Sequence, residues 1–261
     1  MLLVKITVTG ATGAQGGAVA RVAAQHGHEV SRMTRNPKGP QDVYGDFDRP
    51  ETLGPAFAQA DAVFLVTTPF GANCEIETQR GIAAVDAAKH AHVVFTSATN
   101  ADRGTGIPHF DSKQKIERHL QQTHPQWTVL GPAAFMDDKP SLRLPIPPDL
   151  KLHLIAVDDI AAMAVLAMEN PERFHNKRID IAGDLLTGPE MAEILGTEFQ
   201  EASLEEAERY SHDLAAMFRY FTEVGLEVDI EALKTDYPEI AWHTYADWVS
   251  RSRTPAGRTP R

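Results

Sequence analysis

Along the first half of the chain, short apolar runs alternate with amphipathic stretches, the spacing of strands and helices taken in turn. Val4, Ile6 and Val8 form a β-rich run that ends in Gly10, Gly13 and Gly16. The alanine-rich stretch from Ala14 to near Gly27 predicts a helix. Glu29–Thr34 predicts a second strand, and Val43–Tyr44 a brief third that ends at Gly45-Asp46-Phe47-Asp48. A helix is expected from Pro50 to about Gln59. Ala62–Thr67 is apolar almost throughout, as a strand buried on both faces would be. Glu75–His90 predicts a helix, amphipathic through Ile76, Ile82 and Val85. His92–Ser97 predicts a strand, Asp111–Gln122 a helix, and Trp127–Leu130 a strand stopped by Gly131-Pro132. Such alternation implies βαβ units with right-handed crossovers. The expected class is α/β, a Rossmann-type doubly wound parallel sheet.

The second half changes character. Leu142–Leu150 carries Pro145, Pro147 and Pro148 and reads as loop, followed by a short apolar segment at Leu152–Ala156. A helix is expected from Val157 to near Glu169, with Asp158 or Asp159 as its N-cap. Lys177–Ala182 predicts a strand ending at Gly183-Asp184. Thr187 with Glu190 three residues on is a capping-box signature for the next helix. Leu204–Val224 has one helical pattern, and Ile240–Val249 predicts a final helix carrying Trp242, Tyr245 and Trp248. The expected division is a dinucleotide-binding domain over residues 1–138, completed within 152–184. A smaller, mainly helical region over 185–250 and a disordered tail over 251–261 follow.

Composition narrows the classes of function. The 261 residues, 43% of them hydrophobic, suffice for one large domain with a small annex. A net charge of -11 opposes direct binding to nucleic acid, which needs a clustered positive surface. The one basic stretch is the tail from Arg251 to Arg261, with four arginines and no acid. Cys74 is the only cysteine, which suits a reducing compartment. No stretch has the length of a membrane span, and no signal peptide is read at the N-terminus. The expectation is a cytoplasmic protein, monomer or homodimer, with no metal.

The glycines carry the first chemistry. Strand, glycine turn and helix in that order are the context in which a glycine pattern means dinucleotide binding. The spacing is G-x-x-G-x-x-G. Gly10 makes the tight turn, Gly13 admits main chain to a pyrophosphate, and Gly16 lets helix and strand approach. The helix N-terminus offers free N–H groups to phosphate, so Gly10, Thr12, Gly13, Ala14, Gln15 and Gly16 are candidate cofactor contacts.

The end of the second strand selects the dinucleotide. An NAD site usually has Asp or Glu there to hold the ribose 2′-hydroxyl. Here Arg35 stands in that place, with Arg32 and Lys38 near it. A guanidinium binds a 2′-phosphate that a carboxylate would repel, so NADP(H) is expected. Three more strand ends should line the same crevice. They contribute Asp46 and Phe47 beside the adenine, Thr67, Thr68 and Pro69 at the ribose or nicotinamide, and Ser97 as a group to polarise a carbonyl.

A resemblance adds to this reading. The residues that carry it are Thr9–Gly16, Arg35, Gly45-Asp46-Phe47-Asp48 and His109-Phe110-Asp111-Ser112-Lys113. They continue with Pro132–Met136, Ile155–Ile160 and Ile181–Thr187. Over about residues 3–250 the chain resembles the NmrA-like proteins, an atypical branch of the short-chain dehydrogenase/reductases. The resemblance implies that the glycines, Arg35 and Lys113 hold NADP(H). In the wider superfamily a Tyr four residues before such a Lys moves the proton. Here His109 takes that position, and imidazole is competent for general acid–base work. The candidate catalytic set is therefore Lys113, His109 and Ser97. The resemblance implies one of two functions. One is an NADPH-dependent reductase of a small carbonyl or quinone. The other is a non-catalytic NADP(H) sensor acting through a protein partner.

Overall fold

The computed structural model describes residues 3–68, 73–138 and 142–253. In chain order the elements begin with β1 (Lys5–Val8), α1 (Ala14–Gln25), β2 (Glu29–Thr34), β3 (Asp42–Tyr44), α2 (Leu53–Phe57) and β4 (Ala62–Val66). Next come α3 (Cys74–Ala87), β5 (His92–Thr96), α4 (Pro108–Thr123), β6 (Trp127–Pro132), β7 (Ala134–Phe135) and β8 (Arg143–Leu144). They are followed by β9 (Lys151–Ile155), α5 (Val157–Glu169), α6 (Pro171–Phe174), β10 (Lys177–Ile181), β11 (Asp184–Thr187) and α7 (Gly188–Leu195). The chain closes with β12 (Gln200–Glu201), α8 (Leu204–Tyr210), α9 (His212–Glu223), α10 (Ile230–Asp236) and α11 (Tyr245–Arg253). Among the described residues, no helix is long and apolar enough to cross a membrane.

The chain forms two compact units, one of residues 1–132 with Ile160–Asp180, the other of Ala133–Asp159 with residues 181–261. The first unit holds a seven-stranded sheet in the order β10-β6-β5-β4-β1-β2-β3. Strands β3 through β6 in this order pair in parallel. Successive side chains point to opposite faces, and both faces are covered. Val63, Leu65, Val93 and Phe95 pack with Leu53, Phe57, Val85, Ile116 and Leu120 from α2, α3 and α4. Ile6, Val8, Phe64 and Val94 are equally buried. That explains the nearly continuous apolar runs of the central strands.

Strand order reverses at β1, which has β2 on one side and β4 on the other. A crevice opens at the carboxyl ends of strands at such a switch point, and that is where ligands of open α/β sheets bind. The Thr9 N–H donates to the Phe64 carbonyl at 3.0 Å, and the Val66 N–H donates to Thr9 Oγ1 at 2.9 Å. The strand ends on either side of the crevice are thereby fixed.

Strand β6 runs through Gly131 and Pro132 instead of stopping before them. Proline lacks only a donor, and the Pro132 carbonyl accepts from the Thr99 N–H at 3.1 Å. Helix α4 begins at Pro108, three residues before the expected start, so His109 lies in its first turn.

The second unit contains a three-stranded sheet, β11-β9-β7, and a short β12-β8 pair. Arg143–Leu144 of the proline-rich stretch is thus strand, its register set against Gln200 and Glu201. The capping box of Thr187 and Glu190 forms as the sequence predicts. Asp159 does not cap α5. Its carboxylate accepts from the His243 backbone N–H at 2.9 Å and bonds the His243 ring. The long pattern over Leu204–Val224 breaks at Ser211, which is extended and accepts from the Leu214 N–H as the cap of α9.

Candidate active site

The glycine turn of the first unit is built as tightly as its spacing implies. Gly10 has a φ of +59°, and the Gly13 N–H donates back to its carbonyl at 2.8 Å. A Cβ on Gly16 would lie 2.4 Å from the Gly10 carbonyl oxygen. Gly13 is the N-cap of α1, and no side chain caps that end. Thr12, Gly13 and Ala14 are exposed there. The positive end of a twelve-residue helix is therefore open to an anion. Gln15 turns the other way: its Oε1 accepts from Thr96 Oγ1 at 2.8 Å, tying α1 to the end of β5.

The cations near β2 have separate fates. The Arg32 guanidinium is held by Asp42, with Nε to Oδ1 at 2.9 Å. The backbone N–H groups of Lys38 and Gly39 also donate to Asp42, which with Arg32 hold its carboxyl below the usual range. Arg35 is exposed just beyond β2, and among the described residues none pairs with its guanidinium.

Asp46 and Phe47 are partly buried. Asp46 Oδ1 accepts from the Asp48 N–H at 3.0 Å, and Phe47 packs against the core cluster that includes Met33 and Leu53. Thr68 is exposed, whereas Thr67 is buried. Pro69 lies outside the described residues.

Lys113 is carried into the interior by the buried face of α4. Its Nζ donates to the Thr67 carbonyl at 3.4 Å and to Glu77 Oε1 at 2.9 Å. Glu77 is fully buried and also accepts from Thr67 Oγ1 at 2.8 Å and Ser112 Oγ at 2.5 Å. A buried carboxylate needs such partners, because its charge has lost water. Two of the three ammonium hydrogens are thus directed at protein oxygens. His109 is half-buried, its ring edge-on to Phe110 at 4.7 Å between centroids.

Ser97 is buried at the end of β5, and its hydroxyl donates to Glu117 Oε1. Arg178 Nε donates to the other Glu117 oxygen at 3.0 Å, and Arg178 Nη2 to the Ala98 carbonyl at 2.8 Å. Arg178 also pairs with Asp180. Burial pushes the carboxyls of Glu117 and Asp180 upward, while Arg178 pulls both back. The Ser97 proton is committed to this network.

One edge of the sheet therefore brings together Gly10, Gln15, Thr67, Ser97 and Lys113. Sequence reasoning passed over Glu77, Glu117 and Arg178. Glu117 was legible as a charge on the same stripe of α4 as Lys113, Ile116 and Leu120. Arg178 and Asp180 alternate on one face of β10, where a packed face should be apolar. Glu77 carries no such signal, since an acid in the first turn of a helix usually complements the dipole.

A protein of Dictyostelium discoideum described as NmrA-like family domain-containing is 24% identical over 267 residues, covering 85% of this chain and 88% of that one. The photosystem II assembly factor Ycf39 of Guillardia theta is 32% identical over 146 residues. That match spans about half of each protein, 50% of this chain and 46% of that one. An Escherichia coli NADPH-dependent quinone oxidoreductase, solved with NADPH, has the same fold. Its TM-score is 0.79 at 20% identity, over 95% of this chain and 99% of that one. The model of the NmrA-like family matches residues 4–249, and the chain belongs to that family.

Proposed function

We propose that the chain binds NADP(H) at the glycine turn and uses it to reduce a small carbonyl or quinone. The observation that carries this reading is the placement of Lys113. Its ammonium is bonded to Thr67, the neighbour of Val66, which bonds Thr9 beside Gly10. An ammonium thus stands at the strand end next to an open helix N-terminus.

The residues present fit a 2′-phosphorylated dinucleotide. Gly16 has no room for a Cβ, which keeps α1 close on β1, and Gly13 at the uncapped helix N-terminus offers main chain without a side chain to the pyrophosphate. Arg35 is committed to no described residue, whereas Arg32 is neutralised by Asp42. The guanidinium of Arg35 takes the 2′-phosphate in this reading. The third N–H of Lys113 holds the nicotinamide ribose, with Thr67 and Thr68 alongside. Asp46 and Phe47 flank the adenine.

Bound there, NADPH supplies a hydride to the substrate. The substrate also needs one proton at oxygen, and His109 is assigned to deliver it. His109 lies four residues before Lys113, one turn away on the same side of α4. Ser97 acts as a positioning residue, because its hydroxyl proton is turned toward Glu117.

The test is NADPH consumption against a panel of quinones and aldehydes. Turnover that falls at least tenfold in Lys113→Ala and in His109→Ala supports the assignment. A second reading is a sensor that binds NADP(H) and acts through a protein partner. It is favoured by His109 standing where the superfamily has its Tyr, and a relative described as an assembly factor agrees with it. Tight NADPH binding with no turnover on the whole panel would select that reading.

A further inference from the structure

The opposite edge of the sheet carries a second cluster. Helix α1 ends in His26-Gly27-His28, and three successive backbone N–H groups return to the helix. His26 donates to Val22 at 3.0 Å, Gly27 to Ala24 at 3.0 Å and His28 to Ala23 at 3.1 Å. Gly27 has a φ of +84°, which an L side chain rarely adopts, and this turn aims both imidazoles at one point. That point is Glu169, the last residue of α5. His26 Nδ1 and His28 Nε2 each lie 2.8 Å from the same oxygen, Glu169 Oε1. The three atoms lie within 4.8 Å of one another.

We propose that His26, His28 and Glu169 form a binding site for a divalent first-row transition cation of the zinc class. Two imidazoles and one carboxylate make a zinc ligand set, with remaining positions left to water. Ligand atoms about 2.1 Å from a shared ion stand roughly 3 to 3.5 Å apart, so small side-chain movements suffice. Imidazole ligands favour this class over magnesium or calcium. Backbone bonds hold the two histidines on one rigid turn, so little ordering is left for binding to impose. The His28 side chain is buried and the Glu169 side chain nearly so, whereas the His26 side chain is 45% exposed and gives the ion its way in.

Proton accounting is simple. The Val4 N–H donates to His28 Nδ1 over 3.4 Å, so neutral His28 carries its hydrogen on Nε2. Coordination through Nε2 moves that hydrogen to Nδ1 and gives up this one long bond. Coordination of His26 through Nδ1 leaves its ring hydrogen on Nε2 in the same way. His28 precedes β2, at the amino ends of the parallel strands, whereas Gly10 follows β1 at their carboxyl ends. The cation site is thus separate from the dinucleotide crevice, and neither reading depends on the other.

The test uses the full chain without an affinity tag, stripped of metal by a chelator. Zinc chloride is titrated by calorimetry and by competition with a zinc-indicator dye. One zinc per chain is expected, with micromolar affinity or tighter, undisturbed by excess magnesium. His26→Ala and Glu169→Gln should each weaken it at least tenfold. His212→Ala, which alters an exposed pair with Glu208, should leave it unchanged. Because His28 is buried, His28→Ala is judged beside His26→Ala, whose ring is exposed. X-ray absorption of the zinc-loaded chain should show two imidazole ligands. Equal zinc affinity in His26→Ala and the parent chain, no saturable binding at one equivalent, or a spectrum without imidazole would overturn the proposal.

Discussion

The ammonium of Lys113 lies 2.9 Å from the carboxylate of Glu77, and that carboxylate is wholly removed from water. Each charge is the other's main compensation. Removing one partner of a buried pair costs about 3–5 kcal/mol, because the survivor stays buried and unpaired. Glu77→Ala is expected to lose stability of that order in urea unfolding. The double change Glu77→Met with Lys113→Met should recover much of the loss, since two apolar side chains leave no orphan charge. A Glu77→Ala chain as stable as the parent would mean that the pair contributes nothing.

A methyl group at Gly16 would meet the Gly10 and Thr9 carbonyl oxygens at 2.4 and 2.5 Å. Backbone cannot yield as a flexible side chain can, so the helix must back away from the strand. Gly16→Ala is therefore expected to lower both the melting temperature and NADPH affinity, the latter at least tenfold. Gly54 in α2 has nothing within 4 Å of its Cβ position. Gly54→Ala lies outside the glycine turn and should leave NADPH binding unchanged; because Pro55 follows, a Cβ in this helical conformation is not expected to add stability. Thermal melts and a binding titration on the two variants separate the effects.

His92 sets a pH dependence. Thr128 Oγ1 donates to the Phe174 carbonyl at 2.9 Å, so it can only accept from His92 Nε2, at 2.8 Å. The hydrogen of His92 is thus on Nε2, and a second proton would have to enter at buried Nδ1. Burial, then the nearby His175 and His124, lower the pKa of His92 from 6.5 to about 3. In the unfolded chain it takes up its proton at the ordinary value. Between pH 6.5 and about 3 the unfolded state therefore binds more protons, and stability falls as pH falls. Above that window His92 contributes no slope. The expected slope from this residue approaches about 1.4 kcal/mol per pH unit. Urea unfolding of the parent chain and His92→Phe across this range checks it: equal slopes would contradict the account.

The first half of the fold was legible because its signals are local. The apolar run of β4, the glycines after β1 and the alanines of α1 each determine their own element. The second half was less so. Ser211 looks like one polar position in a long helix, yet it ends α8 and caps α9. Asp159 looks like a cap, yet its acceptors serve His243, which is remote in sequence. At the site, the residues proposed to meet the crevice were legible as candidates, by type and spacing. Those that hold them were not, because the pairing of Glu77 with Lys113 and of Ser97 with Glu117 arises only when α3, α4 and β5 pack. The resemblance of motifs located Lys113; the burial that gives it a carboxylate partner is a property of the fold.

The account's central claim is that NADP(H) sits at the glycine turn with its 2′-phosphate on Arg35. The direct measurement is a fluorescence titration of the chain and of Arg35→Ala with NADPH and with NADH. A charge-assisted contact of about 1.5–3 kcal/mol corresponds to roughly ten- to hundredfold in affinity. The parent chain should bind NADPH tighter than NADH by that factor, and Arg35→Ala should erase the difference while leaving NADH binding unchanged. Equal affinity for the two dinucleotides in the parent chain, or an NADPH affinity untouched by Arg35→Ala, would contradict it.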